Sequence, residues 1–302
     1  MNELQRDDNN YNVIVVIIIA IMIMIMMIAT IVFIAALDGY MVTEYVSKIN
    51  KSHINRDTNG RDVETYNTSA TAFFQKLRNN WTIIRDEYID YNSKYKQHVR
   101  RSRDLIPMNA VIDTGDTPWE NIILRVFDSD TELITHFPKT YNLIRDDCTF
   151  AMFSILPPNK KLAPHYGPYN GILRYHLGLI VPKDKDNCFL MINNNKYIWG
   201  EGDDILFDDT LLHSVENNTN DTRVVLFLDV HRTFDNPIIT ILNKTILYFG
   251  KFNTTVDIIV DNTNKMNTTS PPPPPPPPTT TTTYELLGSG AKHSLISPRL
   301  AT

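Results

Sequence analysis

The sequence predicts a mainly β protein, a small antiparallel barrel or jelly roll with flanking helices, carried behind one N-terminal transmembrane helix. Three observations predict it. Strand-like runs with turn chemistry between them follow one another from about Thr149 to His231. Two of those runs place a cation or an imidazole among apolar residues, and the stretch Val13–Leu37 holds no charge at all. The 302 residues are 42% apolar with a formal charge of −5, enough for one good-sized core plus appendages. Slight acidity gives no reason to expect a nucleic-acid partner.

Residues 1–12 form a polar tail, and residues 13–37 then exceed the length a hydrocarbon core requires, so they read as a tilted transmembrane anchor. A cleaved leader is disfavoured because Glu3, Asp7 and Asp8 outnumber Arg6 ahead of the run. Lys48, Lys51 and Arg56 behind the helix favour a cytoplasmic side for the residues that follow it. Sequons at Asn67, Asn80, Asn217, Asn220, Asn243, Asn253 and Asn267 argue for the lumenal or external side, which is the expectation adopted. Residues 38–110 read as a partly helical, membrane-proximal region. Within it Phe73, Phe74, Leu77, Trp81, Ile84 and Tyr88 have the spacing of a helix lying on a core. Arg100, Arg101 and Arg103 read as a solvated loop, with lipid headgroups as the alternative.

The main folded domain is expected over residues 111–252. Thr131–His136 and Lys139–Arg145 read as short helical pieces. Ile172–Val181 reads as a strand, bounded by Pro168, Gly171 and Pro182. Its alternation puts Arg174 and His176 on one face and Leu173, Tyr175, Leu177 and Leu179 on the other. Ile205–Phe207 is a short strand, Asp208–Leu211 a turn, and Arg223–Val230 a buried strand that opens on a cation. An arginine there is costly unless it meets a fixed anion, and a carboxylate on a small molecule would match its guanidinium fork. His165 precedes one strand and His213 follows another, so both can converge on a metal at the barrel mouth. Cys148 and Cys188, the only cysteines, leave two buried thiols and one disulfide equally open. Pro237–Phe252 has the apolar stretches of a helix returning to the domain. Residues 253–302 read as an Asn/Thr/Pro-rich disordered tail. Its polyproline run, 271–278, spans about 25 Å if extended and could dock a proline-binding partner or carry glycans. Slippage of a simple repeat is the plainer account of that run.

The segments FSILPPNKKLAPHYGPYNGILRYHLGLIVP and WGEGDDILFDDTLLHSVENNTNDTRVVLFLDV resemble the aspartyl/asparaginyl β-hydroxylase family of iron(II)- and 2-oxoglutarate-dependent oxygenases. The resemblance covers roughly Trp119–Arg232. It is carried by two histidines, an R-x-H pair and an H-x9-R spacing that occur together and in order. It implies a double-stranded β-helix core, His165 and His213 as iron ligands, and Arg223, Ser154 and His176 at the 2-oxoglutarate positions. Arg174 falls at a position that binds an acidic substrate group or the co-substrate, and a scaffold ion pair is its alternative. Two residues after His165 stands Gly167, where many non-haem iron sites have a carboxylate, and this family is similar in lacking it. Asp208 and Asp209 sit in a turn where a structural role is expected.

The resemblance implies a membrane-anchored dioxygenase. It would hydroxylate Asp or Asn side chains of proteins, small disulfide-rich domains among them, and turn 2-oxoglutarate and O2 into succinate and CO2. A related branch hydroxylates lipid acyl chains, and the anchor keeps that alternative open. A catalytically silent surface protein that keeps the barrel as a binding module is the third reading. Family members resembling type II proteins support a lumenal site. Ile, Asn and Asp richness fits an AT-rich genome such as that of a large virus, and a viral or endoplasmic reticulum membrane is the expected location.

Overall fold

The computed structural model describes residues 15–19, 21–24, 26, 63–96 and 99–265. The polar tail 1–12, most of the 13–37 run and the polyproline run 271–278 lie outside the described residues. Residues 15–19, 21–24 and 26 are helical with exposed apolar side chains. Among the described residues, no helix is long and apolar enough to cross a membrane.

The strands are β1 (Thr65–Tyr66), β2 (Arg100–Arg101), β3 (Glu120–Val126), β4 (Ser129–Asp130), β5 (Phe150–Leu156), β6 (Lys161–His165), β7 (Ile172–Ile180), β8 (Cys188–Ile192), β9 (Asn195–Tyr197), β10 (Asp204–Phe207), β11 (His213–Asn217) and β12 (Arg223–His231). The larger sheet runs β1-β10-β7-β12-β5-β3-β2, with β4 on β3, and the smaller runs β6-β11-β8-β9. From β5 onward the chain alternates between them: β5, β7, β10 and β12 in the larger sheet, β6, β8 and β11 in the smaller. That winding makes a mainly β, jelly-roll fold. The expected strands 172–181 and 223–230 are β7 and β12, and 205–207 lies in β10.

The larger sheet is covered on both faces. Its outer face meets α1 (Ala72–Asn79), α2 (Trp81–Tyr95) and the short helix α4 (Pro138–Ile144); a one-turn α3 (Ser102–Leu105) precedes β3. Strand alternation sends Phe153, Tyr175, Leu177 and Leu226 outward, where Phe74, Leu77, Ile84 and Tyr88 bury against them. Phe74 stacks on Tyr175 with ring centroids 4.8 Å apart. Glu87 of α2 accepts from the Lys139 and Thr140 backbone N–H groups, capping α4 and tying it to α2. The single helix expected through Phe73–Tyr88 is divided at Asn80, whose backbone leaves helical dihedrals and whose side-chain amide donates to the Lys76 carbonyl. The inner face packs Met152, Leu156, Phe207, Val225 and Phe227 against Leu162, Leu190, Ile192 and Val215 of the smaller sheet.

Three expectations are corrected. Residues 38–110 are not a separate region from residue 65 on, because β1 pairs with β10 and β2 with β3. Arg100 is buried within β2 rather than solvated. The tail expected from residue 253 begins instead as a helix, α6 (Thr254–Lys265), which follows α5 (Pro237–Gly250). Asn253 caps it, accepting from the Thr255 N–H, and Val256, Ile259 and Thr263 are buried at one-face spacing beside Leu105 and Trp119. Both cysteines are buried free thiols, and burial pushes Cys148 up to about 12.

Candidate active site

The inner face of the larger sheet carries polar side chains where apolar ones would be expected. Arg174 and His176 stand on β7, Ser154 on β5 and Arg223 at the start of β12, all on the face opposite Leu177 and Leu226. The two remaining histidines come from the smaller sheet, where β11 pairs with β6 so that His213 faces His165 and Val215 faces Leu162. Two steps along β11 therefore match three along β6. This is a β-bulge; it turns His165 onto the same inner face as Leu162, which strict alternation would have denied it. The Ala163 N–H at the bulge donates to the Ile112 carbonyl.

The imidazoles of His165 and His213 lie with ring centroids 4.2 Å apart. Nδ1 of His165 is 2.7 Å from the Ala163 carbonyl, and Nδ1 of His213 is 2.9 Å from the Leu211 carbonyl. A carbonyl only accepts, so each Nδ1 carries the proton and each Nε2 keeps its lone pair. Burial lowers both pKa values. His213 is pushed down to about 3, with His165 and Arg174 adding to the effect. Two neutral, adjacent rings whose tautomers leave each Nε2 unprotonated suit a divalent metal ion. No group of three or more His, Cys, Asp or Glu side chains among the described residues is placed to hold one. The site therefore offers two protein ligands.

Gly167, where a third ligand would be sought, is bare for a steric reason. A Cβ there would lie 2.0 Å from Oδ2 of Asp209. Asp209 is fully buried, and burial lifts its carboxyl to about 7, against the pull of Arg174 and helped by Asp229 and Asp208.

The two arginines differ sharply. Arg174 faces Asp229 across the β7–β12 ladder, and its Nε and Nη2 donate to that carboxylate at 3.0 and 3.2 Å. Its Nη1 lies 2.9 Å from Asp209, and its guanidinium carbon sits 4.5 Å over the Phe227 ring. Burial opposes the charge, but the two carboxylates more than offset it and raise the pKa. Arg223 is the more deeply buried of the two, yet its Nε and Nη1 have no hydrogen-bond partner among the described residues. Burial lowers its pKa, with only the Cys188 thiol opposing. An uncompensated buried guanidinium costs several kcal/mol, about 3–5 by comparison with broken buried pairs, unless an anion arrives from outside.

Other groups around Arg223 are unpartnered in the same way. Both nitrogens of His176 are buried without a hydrogen bond, and burial together with Arg223, Arg174 and His213 holds its pKa well below normal. The buried indole N–H of Trp199 also lacks a partner, with the Arg223 guanidinium 5.7 Å from its ring. Ser154 Oγ accepts from the Trp119 indole at 2.9 Å and retains its own O–H to donate. The result is a cluster of buried, unused donors on the larger sheet, with the paired imidazoles of His165 and His213 on the smaller one.

The structure thus brings His165 and His213 together, sets Ser154, His176 and Arg223 on the facing sheet, and gives Arg174 to two carboxylates. Asp208, in the FDD turn, accepts from Thr210 and pairs with Arg232 at 2.5 Å. Trp119, Trp199 and Asp229 were not singled out from the sequence. Only Asp229 left a signal, an acid within an otherwise apolar strand.

The aspartyl/asparaginyl beta-hydroxylase family model matches residues 78–233. An ornithine lipid ester-linked acyl 2-hydroxylase from Rhizobium tropici is 42% identical over 125 residues, 40% of this chain and 44% of that protein. The aspartyl/asparaginyl beta-hydroxylase of Homo sapiens is 30% identical over 174 residues, 54% of this chain and 21% of that protein. The chain therefore spans less than half the length of either relative. A prolyl-4-hydroxylase structure from Pseudomonas putida aligns with a TM-score of 0.34 and 11% identity over 51% of this chain and 88% of that one.

Proposed function

Because the chain belongs to the aspartyl/asparaginyl β-hydroxylase family, we propose that it is an iron(II)- and 2-oxoglutarate-dependent dioxygenase, anchored to a membrane by residues 13–37, that hydroxylates an unactivated C–H bond. The observation that carries the reading is the pairing of two fixed-tautomer imidazoles with the buried, anion-less guanidinium of Arg223. A diacid reaching from the imidazoles to Arg223 would satisfy both ends.

His165 and His213 would hold the iron through Nε2. Arg223 would take the distal carboxylate bidentately, and the Ser154 O–H would donate to the same group. His176, kept neutral between two cations, would donate one ring N–H without adding charge. Iron with 2-oxoglutarate and O2 supplies the oxidising chemistry, leaving succinate and CO2. The chain's part is to orient the diacid, keep water out with Phe207, Trp199 and Phe227, and present one C–H to the metal.

For the substrate, the ion pairs of Arg174 support one reading over the other. A peptide hydroxylase would use a free cation for an acidic side chain, and both carboxylates on Arg174 are internal. That favours a lipid acyl chain, in line with the name of the 42% identical relative. Aspartyl or asparaginyl side chains of proteins are the second reading, supported by the family and by the longer match to the human hydroxylase. The test is succinate release by the full chain in vesicles with iron(II), beside a His213→Ala control. Acceleration by an amine-containing acyl lipid supports the first reading, and acceleration by an Asp-containing domain supports the second. No succinate, and no 2-oxoglutarate binding by folded protein, would leave a silent binding module.

A further inference from the structure

Helix α5 carries two opposed faces. Asn243 and Leu247 are buried, and Asn243 is bolted to the loop after His165: it accepts from Tyr169 Oη at 2.5 Å and donates to the Gly171 carbonyl at 2.7 Å. Gly171 has no room for a Cβ, which would lie 1.9 Å from Asn243 Oδ1. The other face holds Ile238, Ile241, Leu242, Tyr248 and Phe249, continued by Phe252 just past the helix end, and all are exposed, Ile241 by 64% and Phe252 by 65%. At about 100° per residue these fall within an arc of about 120°. Lys244 and Lys251 fall together at one edge of that arc, and Lys251 Nζ lies 3.9 Å from the Tyr248 ring centroid.

We propose that this face of α5 is a bilayer-contacting surface, which lies in the headgroup and upper acyl region and sets the mouth of the active site against the membrane. Three observations select a bilayer as its occupant. The composition is that of an interfacial helix, aliphatic along its length, aromatic at one end and lysine-edged where long side chains reach anionic headgroups. The uncharged run 13–37 has the length of a membrane span, and only residues 38–62 separate it from the described domain, a tether of at most about 90 Å fully extended. That tether keeps the face at high effective concentration beside a bilayer. The third observation concerns the mouth. His165 is part-exposed while His213, His176 and Arg223 are buried, so the site opens on the His165 side, into exposed Tyr166 and the 169–171 loop that α5 holds.

The inference rests on the membrane-anchored hydroxylase reading and deepens it, since a mouth at the interface receives a lipid acyl chain rather than a soluble peptide. Its test uses the full chain in phosphatidylcholine vesicles containing phosphatidylglycerol. An environment-sensitive fluorophore is placed by Ile241→Cys, by Phe252→Cys or, as control on α2, by Ile89→Cys; Cys148 and Cys188 are buried and spared. Labels at 241 and 252 should be quenched on the order of twofold by nitroxide-bearing lipid while the label at 89 is not. Labels at 241 and 252 as wet and unquenched as the control overturn the proposal. Labels shielded but unquenched also overturn it, in favour of a second copy or another segment on the face, and so does a chain that fails to fractionate with vesicles. In a second arm, Ile241→Glu with Phe252→Glu should keep basal succinate release and lose its stimulation by lipid. Quenching without any succinate would retain the surface and sink the hydroxylase reading; succinate with unquenched labels would do the reverse.

Discussion

The two faces of the larger sheet are built from the same strands and do opposite things. Outward, Phe153, Tyr175, Leu177 and Leu226 meet helices in an apolar layer. Inward, one residue away on each strand, stand Ser154, Arg174, His176 and Phe227, with Arg223 at the strand's edge, and two of these bury polar atoms that nothing in the described chain satisfies. The outer face is finished by the chain itself, whereas the inner face needs a ligand to finish it. In a native interior nearly every buried polar group is paired, so a cluster of unpaired ones marks where something else belongs.

The largest expected effect separates the faces by function. His213→Ala should lower succinate release by at least on the order of a thousandfold, with little change in the urea midpoint of the metal-free protein. An outer-face change should do the reverse. Next comes the contrast within the inner face. Arg174→Met leaves Asp209 and Asp229 buried without their cation and should cost about 3–5 kcal/mol of stability, read as a lower urea midpoint. Arg223→Met removes a charge that has no partner. It should leave the ligand-free protein as stable or more so, and weaken 2-oxoglutarate binding by about 2–5 kcal/mol in calorimetry. Equal destabilisation by both variants would erase the distinction between a scaffold arginine and a ligand arginine.

How much of this was legible follows the same division. The alternation in Ile172–Val181 and the cation opening Arg223–Val230 gave both strands and the facing of their side chains, because period-two patterning is local. The candidate residues His165, His213 and Arg223 were picked out through the family resemblance and its motif spacing. What stayed hidden was non-local. That Arg174 meets Asp229 depends on β7 lying beside β12 in one register, and a register shift of one residue would separate them. The bulge that turns His165 inward left only Pro164 in KLAPH as a mark, a residue kept to strand edges and bulges that does not say which side chain turns. Helix α6 was hidden by composition, since Asn and Thr obscure the three buried positions that dock it beside Leu105. Trp199 gave no signal because its role depends on Gly178, where a Cβ would come 3.1 Å from the indole and 2.2 Å from the Gly200 carbonyl.

On the outer face, Leu77→Ala opens a cavity among Phe74, Tyr175 and their neighbours and should cost about 2–5 kcal/mol. Well below the melting temperature, succinate release per folded molecule should be unchanged. Loss of activity out of proportion to loss of folded protein would mean that the two faces are coupled through the sheet. Ile259→Ala applies the same logic to α6, and an unchanged urea midpoint would return that segment to the status of a tail.

The smallest effect is in pH. His176 and His213 are held neutral in the fold by burial and by neighbouring cations, whereas in the unfolded chain each titrates near 6.5. Their folded pKa values are depressed, so the stability they permit is fully present above about pH 6.5. It declines as pH falls below that value, because the unfolded state then takes up protons that the folded state refuses. The decline approaches about 1.4 kcal/mol per pH unit for each such histidine, and for His213 it continues towards its folded value of about 3. Asp209, whose folded carboxyl is lifted to about 7, takes up a proton in the fold over the same range and works against that loss, so urea unfolding of the metal-free protein at pH 7.5, 6 and 5 reads the sum of the two. His176→Leu, which leaves both proposed metal ligands in place, should remove one histidine's share of the slope. Leu77→Ala removes no titratable group, so it should shift the whole stability curve downward without changing its slope. A slope that His176→Leu leaves unchanged would mean that the inner face admits protons and water, and the dry pocket proposed for the diacid would fail with it.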